Sequence, residues 1–300
     1  MGDSAIHPVS PPHRPVVGRL CILLATVLWS SSGLFVKADL FGDWPEHLRG
    51  TLFSFWRALF AGLLLLPAVR RPRWDWKLLP LAFCFTAMSV CVLQSMTLTT
   101  AANAIWLENT APLWVCLCGA LLWRDGFERR DLFPLLCGSL GIATILSFEL
   151  GSPDAAGQRF GVLLGVASGV LYAGIIVCLR QLRALNGAWL VAVIHVAAAL
   201  ALAPFCLAAA VWPHGDQWPA LVGFGLFQTG LPYLLYAHGV REITSQEAAG
   251  IGLLEPVMSP LWVFLCYGEK TAWWTMVGGG LILAGLAARY VKVGNRPPPA

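Results

Sequence analysis

Four ionisable residues stand where charge is costly: Arg57, Glu108, His195 and Glu255 each fall inside a long apolar run. A charged side chain at bilayer depth costs a few kcal/mol unless it faces a cavity or a partner, so such residues mark substrate and ion pathways. Arg57 lies about nine residues into its run, too deep to reach the interface with ease, and a guanidinium suits an anionic group such as a substrate carboxylate. The structural alternative is an internal ion pair with Glu108 or Glu255. Glu255 directly precedes Pro256, whose ring nitrogen donates no hydrogen bond and leaves a carbonyl one turn earlier free. A carboxylate beside such a bend could hold a substrate amine or a proton, or it could simply pin helices together. Glu108, flanked by Asn103, Trp106 and Asn109, offers the same chemistry. His195, alone in an Ala/Val-rich stretch, is of the kind that more often packs with a hydrogen bond than titrates in a mechanism.

Around these charges a second set of side chains could line a pocket that is apolar with a few hydrogen-bonding groups: Trp29 with Ser30, Ser31 and Ser32, then Gln94, Trp106, Asn109, Gln228, Tyr233 and Tyr236. Trp44, Trp74, Trp76, Trp123, Trp189, Trp212, Trp218, Trp273 and Trp274 fall near the ends of apolar runs, where an interfacial aromatic belt is expected. Trp114 and Trp262 run deeper and are read first as helix-packing residues.

The elements that must position these residues follow from composition. The chain is 57% hydrophobic and 12% charged, with a mean hydropathy of +0.69. A soluble domain carries about 25% charged residues. The chain therefore reads as an all-α integral membrane protein, partnered by the lipid bilayer. Spans are expected near 17–37, 48–68, 77–98, 101–123, 131–148, 160–180, 188–210, 218–239, 244–267 and 271–291, ten in all, since about 20 apolar residues cross the hydrocarbon. Residues 1–15 and 295–300 read as disordered tails, and the first run is long enough to be an uncleaved helix rather than a signal peptide. With the N-terminus inside, fifteen of the twenty Lys and Arg fall in cytoplasmic connections, which puts both termini in the cytoplasm and the protein in the cell (inner) membrane. The basic residues are scattered through short loops, so no nucleic-acid footprint is indicated. The nine cysteines show no Cys-x-x-Cys pair and read as small apolar packing residues; no metal or cofactor is implied.

Pro-Leu-Trp-Val-x-Leu-Cys occurs twice, at 112–118 and at 260–266, as a duplicated unit would leave it. Matching the heptapeptides gives a spacing of 148. Matching Pro112 with Pro256 gives 144, equalises the two spans and aligns Asp125 with Glu269, so 144 is preferred. Because the two copies lie in the fourth and ninth spans, an odd offset of five, they must cross the membrane in opposite directions. The expected architecture is two inverted five-helix repeats, 17–148 and 160–291. Such repeats build alternating-access transporters with a site near the midplane.

Glu-Pro-Val-Met-Ser-Pro-Leu (255–261), Tyr-Gly-Glu-Lys-Thr (267–271) and Gly-Gly-Gly-Leu-Ile-Leu-Ala-Gly-Leu (278–286) together resemble the signature of EamA-type carriers of the drug/metabolite transporter superfamily. Thr-Ala-Pro-Leu-Trp (110–114), the first run ending in Lys37, and Phe-Trp-Arg-Ala-Leu-Phe-Ala-Gly (55–62) resemble the corresponding first-half tracts. One departure is Trp123-Arg-Asp-Gly, where the family has a Gly-Glu pair. The resemblance implies a ten-helix carrier that moves small metabolites, most often outward.

Enzyme motifs such as His-Glu-x-x-His, Gly-x-Ser-x-Gly and a Walker loop do not occur, so the chain is not read as an enzyme. The expected function is a secondary transporter exporting an amino acid or related zwitterion, with a small-molecule substrate and protons as candidate partners and a homodimer left open. The alternatives are efflux of cationic drugs, in which the glutamates alone would matter, and a non-transporting membrane scaffold or sensor.

Overall fold

The computed structural model describes residues 14–69, 72–122, 129–151 and 156–293. Among them the chain is helical, with no strand. The helices are α1 (Pro15–Ser30), α2 (Ser32–Val36), α3 (Glu46–Leu65), α4 (Leu78–Leu98), α5 (Ala101–Glu108), α6 (Ala111–Leu122), α7 (Arg129–Gly151), α8 (Ala156–Gln181), α9 (Gly187–Ala209), α10 (Gln217–Gly223), α11 (Leu231–Gly239), α12 (Ser245–Gly252), α13 (Glu255–Tyr267) and α14 (Trp273–Val293). A π-helical turn, Phe224–Gly230, joins α10 to α11.

Eight stretches are long and apolar enough to cross a membrane: Pro15–Val36, Glu46–Ala68, Leu78–Leu98, Leu132–Gly151, Ala156–Gln181, Gly187–Ala209, Gln217–Gly239 and Glu247–Tyr267. Of the other two expected spans, the run at 101–123 is divided into α5 and α6, and α14, Trp273–Val293, covers the tenth. The break has a local cause. Pro112 cannot donate to the carbonyl four residues back, while Asn109 Nδ2 and Thr110 Oγ1 turn onto the carbonyls of Ile105 and Leu107. The expected tails lie outside the described residues, apart from Arg14 and Pro15, as does the Arg124–Glu128 connection.

A second break mirrors the first. Thr100 and Thr244 cap α5 and α12 through the N–H groups of Asn103 and Glu247. Helices α5 and α12 end at Glu108 and Gly252, and α6 and α13 begin at Ala111 and Glu255; every one of these pairs is 144 positions apart. The helix ends thus follow the 144 spacing, and the identical heptapeptides lie one turn out of step. Their tryptophans differ accordingly: Trp114 Nε1 donates to Thr110 Oγ1 on its own span, whereas Trp262 Nε1 reaches Ser30 Oγ on α1.

Helix α3 packs on α9, α7 on α14, α4 on α8 and α1 on α11. Backbones touch where α7 crosses α14: a Cβ on Gly141 would stand 2.5 Å from the Gly278 carbonyl, and one on Gly278 2.7 Å from that of Gly141. Small residues permit such approach, and dispersion then supplies the attraction that lipid withholds. Leu79, Phe83, Leu200, Phe205, Leu265 and Met276 face outward, each at least 60% exposed, a surface that a bilayer covers.

Trp44 departs from the expected belt. It is 1% exposed and donates from Nε1 to Gln217 Oε1, while Gln217 Nε2 donates to Leu40 O and Asp43 Oδ1. Partial burial works to raise the Asp43 carboxyl, but hydrogen bonds from His214, its own backbone and Gln217 outweigh it and hold the group below the ordinary carboxylate value. Trp74, Trp76, Trp212, Trp218 and Trp273 do remain exposed at span ends.

Candidate functional site

Arg57 on α3 donates from Nη2 to Ser89 Oγ on α4 at 2.5 Å, and Ser89 Oγ donates on to Ser54 Oγ at 3.2 Å. Its guanidinium carbon lies 5.5 Å from the centroid of the Phe224 ring, a cation–π contact that lowers the cost of the buried charge. Phe224 opens the π-helical turn, where Thr229 Oγ1 bonds the Phe224 carbonyl. Wide turns of this kind often accompany functional sites. No carboxylate comes within ion-pair distance of Arg57 among the described residues, so the internal pair considered from sequence is not formed.

Glu108 is the last residue of α5 and Glu255 the first of α13, so both carboxylates stand at helix breaks. They lie within electrostatic reach of each other, and Arg57 within reach of Glu108 and Tyr233. Trp29 meets Tyr233 edge-on at 5.2 Å and Tyr236 at 5.5 Å between ring centroids. His195 packs between Phe85 (4.7 Å) and Tyr233 (5.3 Å). Its Nδ1 faces the Val191 carbonyl at 2.8 Å, which assigns the proton to Nδ1 and leaves Nε2 as a buried acceptor without a partner.

Arg57, Glu108, Glu255 and Tyr233 are deep inside the protein, yet each keeps surface that water can reach. The structure brings together Arg57, Glu108, Glu255, Trp29, Tyr233, Tyr236 and His195.

The other expected residues are used elsewhere. Gln94 accepts from Gly50 N and donates to Glu46 O, so both ends of its amide hold α3 against α4. Trp106 donates to Pro256 O at 2.7 Å and presses on Gly279. Gln228 donates to Trp29 O and accepts from Thr229, Ser32 Oγ meets Met96 Sδ, and Asn109 lines a small pocket between α6, α7 and α14. These side chains have backbone or packing work to do. Sequence reasoning missed two participants. Tyr172 on α8 lies within electrostatic reach of Glu108, Glu255, Tyr233 and Tyr236, and Ser89 holds Arg57. Tyr172 could have been noticed as the one tyrosine in its run; Ser89 gains its meaning only from Arg57 opposite.

At one end of the bundle Lys37 pairs with Glu269 at 2.8 Å, Lys37 Nζ donates to Thr99 O, and Glu269 Oε1 accepts from Ala101 N.

Eight stretches long and apolar enough to cross a membrane, with Arg57, Glu108 and Glu255 held partly exposed among aromatic side chains, define a multi-pass membrane protein. The chain belongs to the EamA-like transporter family, whose model matches residues 16–147 and again 159–290. It is 28% identical over 275 residues to an uncharacterized transporter of Archaeoglobus fulgidus, covering 90% of this chain and 94% of that one. An uncharacterized transporter of Bacillus subtilis, YcbK, is 25% identical over 302 residues, covering 93% and 95%. A solved structure described as "Crystal structure of protein" shares the fold, with a TM-score of 0.65 at 20% identity over 94% of this chain and 98% of its own.

Proposed function

We propose that the chain is a secondary transporter of ten spans, arranged as two inverted five-helix halves, that moves an amino acid or related zwitterion outward across the cell membrane by alternating access. The two family-model matches, the 144-residue repeat of caps and breaks, and the packing of α3 on α9 and α7 on α14 support the paired halves. One observation carries the substrate reading: a cation, Arg57, and two carboxylates, Glu108 and Glu255, are linked by electrostatic reach, each partly exposed, and form no ion pair among the described residues. A zwitterion supplies the missing partner to each sign. The two glutamates also make protons candidate coupling ions.

Counterflow of radiolabelled amino acids in proteoliposomes tests this. Arg57→Ala should lower counterflow at least tenfold, about 1.4 kcal/mol or more, with the protein still folded. Unchanged counterflow would sink the zwitterion reading. A second reading, efflux of organic cations, draws support from Arg57 being held already by Ser89 and Phe224, while the glutamates stand among Trp29, Tyr172, Tyr233 and Tyr236. Aromatic faces and carboxylates together favour ammonium groups. Under it, Glu108→Gln and Glu255→Gln abolish efflux of a cationic dye and Arg57→Ala spares it.

A further inference from the structure

The contact between Lys37 and Glu269 joins parts of the protein that are otherwise anchored differently. On one side, α1–α2 and α13 are fastened to each other. Trp262 Nε1 donates to Ser30 Oγ at 2.9 Å, Tyr267 Oη donates to Leu34 O at 2.7 Å, and Gly33 lies against Val263 so closely that a Cβ there would meet its methyl at 2.4 Å. On the other side, the Thr99–Ala101 connection is fastened through Asn103 to a buried hub. Asn103 Nδ2 donates to Thr99 Oγ1 and to Glu149 Oε1, and Glu149, 3% exposed, also accepts from Trp274 Nε1 and Gln158 Nε2. That hub ties α5 to α7, α8 and α14.

Two polar links cross between these bodies: Trp106 Nε1 on α5 donates to Pro256 O on α13, and at the far end of α13 a four-cornered bridge forms. Lys37 bonds Glu269 within its own body and Thr99 O across the gap; Glu269 reaches Ala101 N across the gap. Each charge therefore holds the other in position for a bond to backbone that it could not hold as well alone. Both side chains are 20% exposed, so water competes for them weakly but can reach them. A contact of this depth is strong enough to bias an equilibrium and weak enough to break.

We propose that the Lys37–Glu269 pair is the latch that holds this end of the bundle closed, releasing when α1–α2 and α13 swing together away from the hub. The inference rests on the alternating-access reading, and it adds which bodies move and which bonds they break. Only a discrete two-state contact can be biased in this way.

Hydrogen exchange on the full-length protein in nanodiscs, read by mass spectrometry, tests the latch without any substrate. Lys37→Met and Glu269→Gln should each speed exchange on the order of tenfold in segments 96–103 and 264–270, with segments 145–150 and 274–282 unchanged. Glu269→Ala, which also removes the acceptor for Ala101 N–H, should exceed Glu269→Gln in the first segment. Unchanged exchange in all three variants overturns the latch, and so does an equal increase across the hub, which would mean general loosening. Counterflow on the same variants separates the two levels. Altered exchange with no transport of any substrate would undermine the transport reading and leave the latch standing; transport at wild-type rates with unaltered exchange does the reverse.

Discussion

Gly279→Ala and Gly280→Ala, substitutions at adjacent positions, should have opposite effects. A Cβ on Gly279 would stand 1.8 Å from Trp106 Cε3, 2.1 Å from Cδ2 and 2.3 Å from Cζ3, whereas one on Gly280 meets nothing within 4 Å. The indole cannot simply move aside. It is 7% exposed, and its Nε1 is fixed at 2.7 Å to the Pro256 carbonyl. That carbonyl has no helical donor, because the residue four positions on is Pro260, so Trp106 supplies the hydrogen bond that the second proline removes. Overpacking costs about 1–3 kcal/mol and an orphaned buried carbonyl about 1–3 kcal/mol more, so Gly279→Ala should destabilise by roughly 2–6 kcal/mol. Gly280→Ala loses no contact and gains helix propensity of up to about 1 kcal/mol. The assay is apparent melting temperature in one nanodisc composition at one scan rate, with Trp106→Leu made in both backgrounds. In the Trp106→Leu background most of the Gly279→Ala penalty should vanish, because the ring that collides is gone. If Gly279→Ala melts at or above Gly280→Ala, or its penalty persists without the ring, the steric argument is wrong.

Two further outcomes can be checked on the same purified protein. Gln217→Leu leaves the Trp44 indole, the Leu40 carbonyl and the His214 N–H without their partner at a fully buried position, and should lower stability by about 2–4 kcal/mol in the same melting assay. Asp43, held below the ordinary carboxylate value, contributes stability that is present above about pH 4 and lost as pH falls through its lower folded value. Melting temperature should therefore decline less between pH 5 and pH 3 in Asp43→Asn than in the unmodified chain, and an identical decline would remove Asp43 from the account; its half-exposed side chain keeps the effect small.

Much of the fold could be read from the run of apolar residues, because a membrane helix must bury every backbone group within itself and so declares its length in composition. The spacing of 144 was readable for a related reason: Thr100 and Thr244 are caps, and Pro112 and Pro256 are breaks, and both act through local backbone chemistry. The broken fourth span was harder, since composition across 101–123 is apolar throughout and only the Asn109–Thr110 turn and Pro112 divide it. Site residues divided along the same line. Arg57, Glu108 and Glu255 announce themselves because charge at that depth is costly wherever it points. Gln94, Trp106 and Gln228 have the right chemistry for a pocket, but an amide or indole is equally suited to satisfying a backbone group, and which it does depends on the helix opposite.

By itself, then, the sequence determined that this protein lives in a membrane, that it is built from helices, that it is internally repeated, and which charges must be hidden. Tertiary structure alone decided that Ser89 and Phe224 hold Arg57, that Tyr172 comes within electrostatic reach of Glu108 and Glu255, and that Lys37 and Glu269 meet over the backbone of Thr99 and Ala101. The physical reason is range. Hydrophobicity, caps and prolines act within a turn or two of chain, whereas each of these contacts joins residues from separate helices, and their neighbours are fixed only when the helices pack.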